Sequence, residues 1–442
     1  MNRPRRLRFV LTILIISLLY YLFGLPSLPG RRGFDTWDDA DYLLSKNHSA
    51  LDACKALPKH AFDKIQVVLK IGAGEVESKL PIHLRTVTSC VPDLLIFSDF
   101  EESSHGHHII DALENFSERY EHDNPDFKIY DTIKQQKASG QRVGRSGDGW
   151  KLDKYKFFPM MEMTWKMPRQ KDWYMFIELD TYVVWDNLLR FLSHLDPEQP
   201  LYMGSPVWPP KKPVFGHGGS GLILSKKALG ELAYYGRYFR DEYSVGNHQF
   251  GQDMKEECCG DEVLARVFKN IGITLKGYWP LINGEKVSTL RFGPEQWCEP
   301  IVTLHHLSGK DVGDLWDWEM KRNSTTPLLF EELYGAIVEP LITPIAYNWT
   351  NMSEDDGVNP KPLSDKSFDQ CKDACNLDRH CFQYLHHNTT CQLAHHFRLG
   401  HSQSPDRDTQ WTWDSGWNTE RIDEFKKASL CGGEARWSHS NP

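Results

Sequence analysis

Over the middle of this chain, short apolar runs alternate with longer amphipathic stretches. Ile65–Ile71 (IQVVLKI) and Asp93–Asp99 (DLLIFSD) read as strands, and Phe127–Asp131 as a third. Lys151–Arg169 has helical spacing, with Tyr155, Phe158, Met161 and Trp165 as its inner face, and leads directly into Trp173–Trp185 (WYMFIELDTYVVW). That run is apolar as far as Ile177, stops at Glu178 and Asp180, and resumes at Tyr182. A strand apolar on both faces belongs inside an α/β sheet, and open α/β sheets place ligands beyond the carboxyl ends of such strands. A helix at Asn187–Leu195, a strand-like LYMGS, a proline-rich loop (206–213) and the glycine-rich Phe215–Ser225 (FGHGGSGLILS) follow. Then come a periodic helix at Val263–Phe268, a strand at Ile301–His306 (IVTLHH) and a Trp-rich helix around Leu315–Met320. This alternation predicts a mainly parallel α/β sheet.

The N-terminal pattern is different. Phe9–Leu25 is apolar and uncharged, at the short end of what spans a bilayer, where about 20 residues is typical. Arg3, Arg5, Arg6 and Arg8 precede it, and this excess of positive charge keeps the N-terminus cytoplasmic. A cleaved signal peptide is the alternative, but the segment is long for one and no small-x-small site follows. The expected organisation is a cytoplasmic tail at 1–8, a signal anchor at 9–28, a stem at 29–62, a catalytic domain at 63–335 and a smaller domain at 336–442.

Composition narrows the function classes. A formal net charge of −9 over 442 residues provides no dominant basic field, which argues against a nucleic-acid partner. No G-x-G-x-x-G or Walker-type loop occurs in the strand–helix alternation that leads up to Trp185, which counts against a dinucleotide enzyme or a P-loop NTPase. Ten clustered cysteines point to an oxidising compartment, as do sequons at Asn47, Asn115, Asn323, Asn348, Asn351 and Asn388.

Four features carry candidate chemistry, and each has a plainer reading. Glu178 and Asp180, ending a buried strand, suit a hard divalent cation, or are two solvated acids in a turn. Gly218 and Gly219 permit close backbone approach to a ligand, or simply make a turn. Asp261, before an apolar-periodic helix, is a candidate base or an N-cap. His305 and His306 follow a strand and are candidate metal ligands or solvated imidazoles.

Taken in this order, the set resembles the fringe and core-1 β1,3-galactosyltransferase branch of glycosyltransferase family 31, especially its fungal members, over about residues 63–325. The resemblance implies a GT-A fold and a type II Golgi membrane enzyme with its catalytic domain in the lumen. It would transfer a hexose from a UDP-sugar to a glycan or glycoprotein acceptor, inverting and β1,3-forming. ELDTYV looks like the family's metal motif, with Leu179 at a position usually acidic. By this resemblance Asp180 and His305 hold Mn²⁺ or another divalent cation, with Glu178 as a further ligand, and GDEVLA places the general base at Asp261. Gly218 and Gly219 would lie near the sugars, and Arg85 and Asp99 near the nucleotide. The departure at Leu179 keeps open a second class, an inactive membrane-anchored lectin-like or adhesion protein.

The cysteine spacing Cys371-x3-Cys375-x5-Cys381-x9-Cys391 allows three connectivities. It resembles a PAN/apple module, and that resemblance implies the pairs Cys371–Cys391 and Cys375–Cys381. Cys298 is expected to pair with Cys258 or Cys259; Cys54, Cys90 and Cys431 are left without assignment.

Overall fold

In the computed structural model, the described residues are 54, 57–58, 60–114, 124–141, 143, 149–238, 254–322, 325–355 and 363–437, with backbone alone at 236–238. All lie in one unit, Asp41–Pro442. The expected anchor at 9–28 falls outside them. Among the described residues no helix is long and apolar enough to cross a membrane.

The first half is organised by an eight-stranded mixed sheet. Its strands are β1 (Ile65–Lys70), β2 (Leu95–Ser98), β3 (Glu102–Ser104), β4 (His107–Asp111), β5 (Trp173–Glu178), β7 (Tyr202–Gly204), β10 (Leu222–Ser225) and β11 (Leu275–Gly277). Between them lie the short strands β6 (Tyr182–Val183), β8 (Pro206–Val207) and β9 (Phe215–Gly216). The spatial order is β11-β7-β10-β5-β1-β2-β4-β3. Strands β5, β1, β2 and β4 run parallel, β10 is antiparallel to both of its neighbours, and β3 turns back along β4. All six residues of β1 and the first five of β5 are buried, as a central parallel strand requires.

Helices cover the sheet: α1 (Leu80–Arg85), α2 (Phe127–Ala138), α3 (Asp153–Trp165), α4 (Trp185–Ser193), α5 (Lys226–Tyr238) and α6 (Gly260–Asn270). Tyr155, Phe158 and Met161 of α3 are buried in the core, as their spacing predicts. Phe127–Asp131 is not a strand but the start of α2. Phe127, Tyr130 and Ile133 stand three apart and are all buried, which is helical periodicity. The strand beside β2 is instead β4, whose HHIID run begins too polar to be read as one.

Parallel register brings the carboxyl ends of β1, β2 and β5 together. Lys70 lies directly opposite Glu178, and Asp99 and Asp180 follow the ends of their strands. A further antiparallel pair, β6 with β12 (Thr303–Leu304), matches Tyr182 to Leu304 and Val183 to Thr303. Because antiparallel partners run past each other, this register carries His305 and His306 back alongside Thr181 and Asp180. The expected strand at 301–306 is thus only two residues long, and the histidines lie just beyond it.

The second half begins after α7 (Gly309–Met320) and α8 (Phe330–Leu333). Strands β13 (Ile345–Tyr347), β15 (Gln383–His387), β16 (Thr390–Ala394) and β18 (Trp413–Trp417) form an antiparallel sheet in the order β13-β18-β15-β16. A short pair, β14 (Trp349–Thr350) with β17 (His401–Ser402), flanks it. Helix α9 (Phe368–Leu377) is stapled to this sheet by Cys371–Cys391 and Cys375–Cys381, the expected pairs. The remaining cysteines differ from expectation. Cys298 pairs with Cys431, 133 residues away, while Cys258 pairs with its neighbour Cys259, and Cys54 with Cys90. The reason is tertiary. Helix α10 (Thr419–Ala428) and the segment after it return to the first half, where Arg436 binds the Cys298 carbonyl and the Glu299 carboxylate.

Serine at both Cys298 and Cys431 is expected to cost about 2–5 kcal/mol of stability. Urea unfolding under non-reducing conditions measures this, and an unchanged midpoint would contradict it.

Candidate functional site

Three sequence-distant segments meet on one small turn, the 3-10 segment Gly218–Ser220. The Thr181 hydroxyl donates to the Gly219 carbonyl (2.7 Å), and the Thr303 hydroxyl to the Ser220 carbonyl (2.7 Å). The Gly218 N–H donates to Asp261 Oδ2 (2.9 Å). The turn is therefore held by the Asp180 loop, the strand before His305 and the first turn of α6. Gly219 has to be glycine here, since a Cβ at that position would lie 2.2 Å from His305 Nε2.

Asp180 and His305 are in contact, with His305 Nε2 3.2 Å from Asp180 Oδ1. Asp180, His305 and His306 each offer a ligand atom within 4.8 Å of the others. Burial alone would raise the Asp180 carboxyl, but the hydrogen bond and charge of His305, with Lys79, outweigh it and hold the group at about 2. His305 is buried, and its Nδ1 finds no hydrogen-bond partner. Its backbone N–H donates to Glu285 O (3.1 Å), which fixes the loop behind it. His306 has a left-handed backbone (φ 61°), uncommon for a residue with a side chain, and its ring centroid stands 3.9 Å from that of His305. Burial, and then the His305 charge, lower the His306 pKa. A carboxylate and two imidazoles suit a divalent transition metal, and neutral imidazole is the form that ligates.

Sequence reasoning missed His217. It caps the glycine turn, accepting from the Ser220 N–H, and its ring centroid is 5.1 Å from that of His305. Burial pushes its pKa down to about 4. The one available signal was its place inside the glycine-rich run.

Glu178 turns elsewhere. Register sets it against Lys70, whose Nζ is 3.0 Å from Glu178 Oε1 and 3.4 Å from Asp153 Oδ2. Burial disfavours the Lys70 charge, but Asp153 and Glu178 outweigh it and raise its pKa. Glu178 is thus outside the group of three that Asp180 forms with the histidines. Leu179 is only 5 % exposed and packs inward, so an apolar residue suits the middle position.

A cavity of about 390 Å³ opens beside Asp180 and Leu179, bounded by Lys70, Asp99, Asp153 and Trp150. Asp99 is buried there, accepting from the Ala73 N–H (2.6 Å) and paired with Lys156 (3.3 Å). It shapes the cavity floor through the backbone. Arg85, by contrast, is exposed at the end of α1 and does not line this cavity. Its place at the end of an early element had suggested it, but the side chain is exposed to solvent.

Asp261 lies in the first turn of α6, whose N-cap position is Cys259, so Asp261 is not the N-cap residue. Burial raises its pKa above the usual carboxylate range, against the N–H groups of Gly218 and Glu262, which favour the charged form. A raised carboxyl tied to the glycine turn is suited to taking a proton.

Residues 77–276 match the family model described as Fringe-like. That stretch is similar to Fringe-like domains. A 60-residue stretch is also 38% identical to the glycoprotein-N-acetylgalactosamine 3-beta-galactosyltransferase 1 of Xenopus laevis. That stretch covers 14% of this chain and spans 17% of the relative's length. The Fringe-like match takes in Asp180, Gly218, Gly219 and Asp261 but ends before His305, so the pairing of His305 with Asp180 stands on geometry alone.

Gly219→Ala tests that geometry. The methyl group would displace the His305 ring, and Co²⁺ or Mn²⁺ affinity is expected to fall by about 10–100-fold, as when the support of a metal ligand is lost. Metal titration followed by calorimetry measures it; wild-type affinity would contradict it.

Proposed function

We propose that this chain is an inverting glycosyltransferase moving a hexose from a UDP-sugar to a glycan or glycoprotein acceptor, with a β1,3-linkage. The observation that carries this reading is the joining of Asp180, His305 and Asp261 through one glycine turn, the turn and both acids lying inside the Fringe-like match. Asp180, His305 and His306 would hold a divalent cation such as Mn²⁺, which when bound stabilises negative charge on a departing diphosphate. The donor set and the partnerless His305 Nδ1 fit such an ion.

Asp261 takes the proton of the acceptor hydroxyl as its oxygen bonds to the anomeric carbon. The bond from that carbon to UDP breaks on the opposite face, UDP leaves, and configuration inverts. The GT-A fold assignment belongs to this proposal, supported by the mixed sheet and the cleft at its carboxyl edge. So do the remaining expectations: a type II signal anchor, Golgi residence, and a PAN/apple-like C-terminal module at 336–442 that helps hold an acceptor.

The test is a donor screen with UDP-galactose, UDP-glucose and UDP-N-acetylhexosamines, with and without Mn²⁺. Transfer that requires the metal supports the proposal. Turnover with no donor supports the lectin-like alternative, which is favoured by one observation: Glu178 is drawn off by Lys70 and Leu179 supplies no acid.

A further inference from the structure

The seam between the two halves holds a second cavity, of about 510 Å³, within the size range of small-molecule sites. The segment around Arg291 and Gln296 forms one wall, and Arg379 with the β15–β16 side of the second sheet forms another. Helix α10 closes it with Arg421 and Phe425. Of the lining residues, Phe382 and Phe425 lie 5.5 Å apart by centroid, and Phe425 is backed by the buried Trp297, 5.1 Å away, outside the lining.

The charge of this cavity runs against that of the chain. Net charge overall is −9, yet three guanidinium groups converge here, with only the exposed Glu295 and Glu424 as acids in the lining. Two of the three have no carboxylate partner. Arg379 donates from Nε to His380 Nε2 (2.9 Å). Arg421 spends its donors on the backbone carbonyls of Cys375, Asn376, Asp378 and Cys381. Carbonyl oxygens satisfy hydrogen bonds but leave the positive charge uncompensated. Asp378, the acid next to Arg379 in sequence, is taken by His395 at 2.8 Å. The lining that results has guanidinium charge on one side, held in place at Arg421, and the half-buried Phe425 on the other.

We propose that this cavity binds a saccharide bearing an oxyanion, either a carboxylate or a phosphate ester. Arg379 donates from Nε to His380 and keeps its terminal amino groups for a bidentate contact with either group, Arg421 adds charge from the wall, and the half-buried Phe425 offers a face to the carbon side of the ring. The site is separate from the Asp180 group and needs no catalysis to be read out.

The experiment is a calorimetric titration of the full chain. Its probes are galacturonate oligomers, glucose 6-phosphate, galactose and glucose as neutral controls, and inorganic phosphate. Binding of an anionic sugar is expected, with the galacturonate and phosphate-ester arms deciding which oxyanion is preferred. Arg379→Ala, an exposed position, is expected to weaken it about tenfold or more. Phe425→Ala is a second variant reporting on the aromatic side, and Arg85→Ala, exposed on another surface, serves as the unaffected control. Equal binding of neutral and anionic sugars overturns the proposal, as does phosphate alone binding as tightly as the sugars. Unchanged binding in both Arg379→Ala and Phe425→Ala overturns it too.

Discussion

Asp261→Asn is expected to lower kcat by about 10²–10⁴-fold while donor affinity stays near wild type. The amide keeps the size of the carboxyl group, and its oxygen can still accept from the Gly218 N–H that now binds Oδ2 at 2.9 Å. What it loses is the capacity to take a proton, together with the second backbone bond, in which Oδ1 accepts from the Glu262 N–H (2.9 Å). Steady-state kinetics with a fixed donor, plus direct titration of UDP, separate the two effects. A variant that retains full turnover removes Asp261 from the chemistry. The pH profile gives a second check. A general base works only when deprotonated, and burial raises the Asp261 pKa. The acid limb of kcat/KM should therefore lie above the range of an ordinary carboxylate, about 3.9, and should vanish in the variant.

Asp180→Ala is expected to reduce transfer at least about 10²-fold and to abolish saturable Mn²⁺ activation. His305 cannot compensate, because its ring is locked against Gly219 and loses its 3.2 Å partner. Asp180 is not expected to shape the acid limb of the pH profile, since His305 helps hold its carboxyl at about 2. The same shift has a consequence for stability. The folded pKa lies below the unfolded value of about 3.9, so the contribution is present above that pH and is lost as pH falls toward 2. Metal-dependent activity across a Mn²⁺ series measures the first effect. Wild-type activation in the alanine variant would remove Asp180 from the metal group.

Strand and helix identities were legible wherever burial imposed a clear period. The doubly buried β1 and β5 and the inner face of α3 are examples. Phe127–Asp131 is helical where a strand was expected, because a window of five residues is too short to separate periods of two and 3.6. Asp180, His305 and Asp261 could be ordered along the chain, but what joins them is a set of hydroxyl–carbonyl bonds from Thr181 and Thr303 that no local pattern reveals. The diversion of Glu178 depends on sheet register, which pairs it with Lys70, a residue more than one hundred positions earlier. His217 carries no distinctive spacing, and the left-handed backbone at His306 is visible only in three dimensions. The disulfides divide along the same line. Cys371–Cys391 and Cys375–Cys381 close short loops within one module, whereas Cys298–Cys431 depends on how the C-terminal segment returns across the molecule.

The three-residue turn at Gly218–Ser220 limits how this site can be re-engineered. Metal group and proton acceptor share it as a common footing, so a substitution that slides the turn retunes both at once. Asp261 and His305 also have separate tethers, through the Glu262 N–H and the Glu285 carbonyl respectively. Adjusting one function alone means working from those outer tethers and leaving the turn untouched.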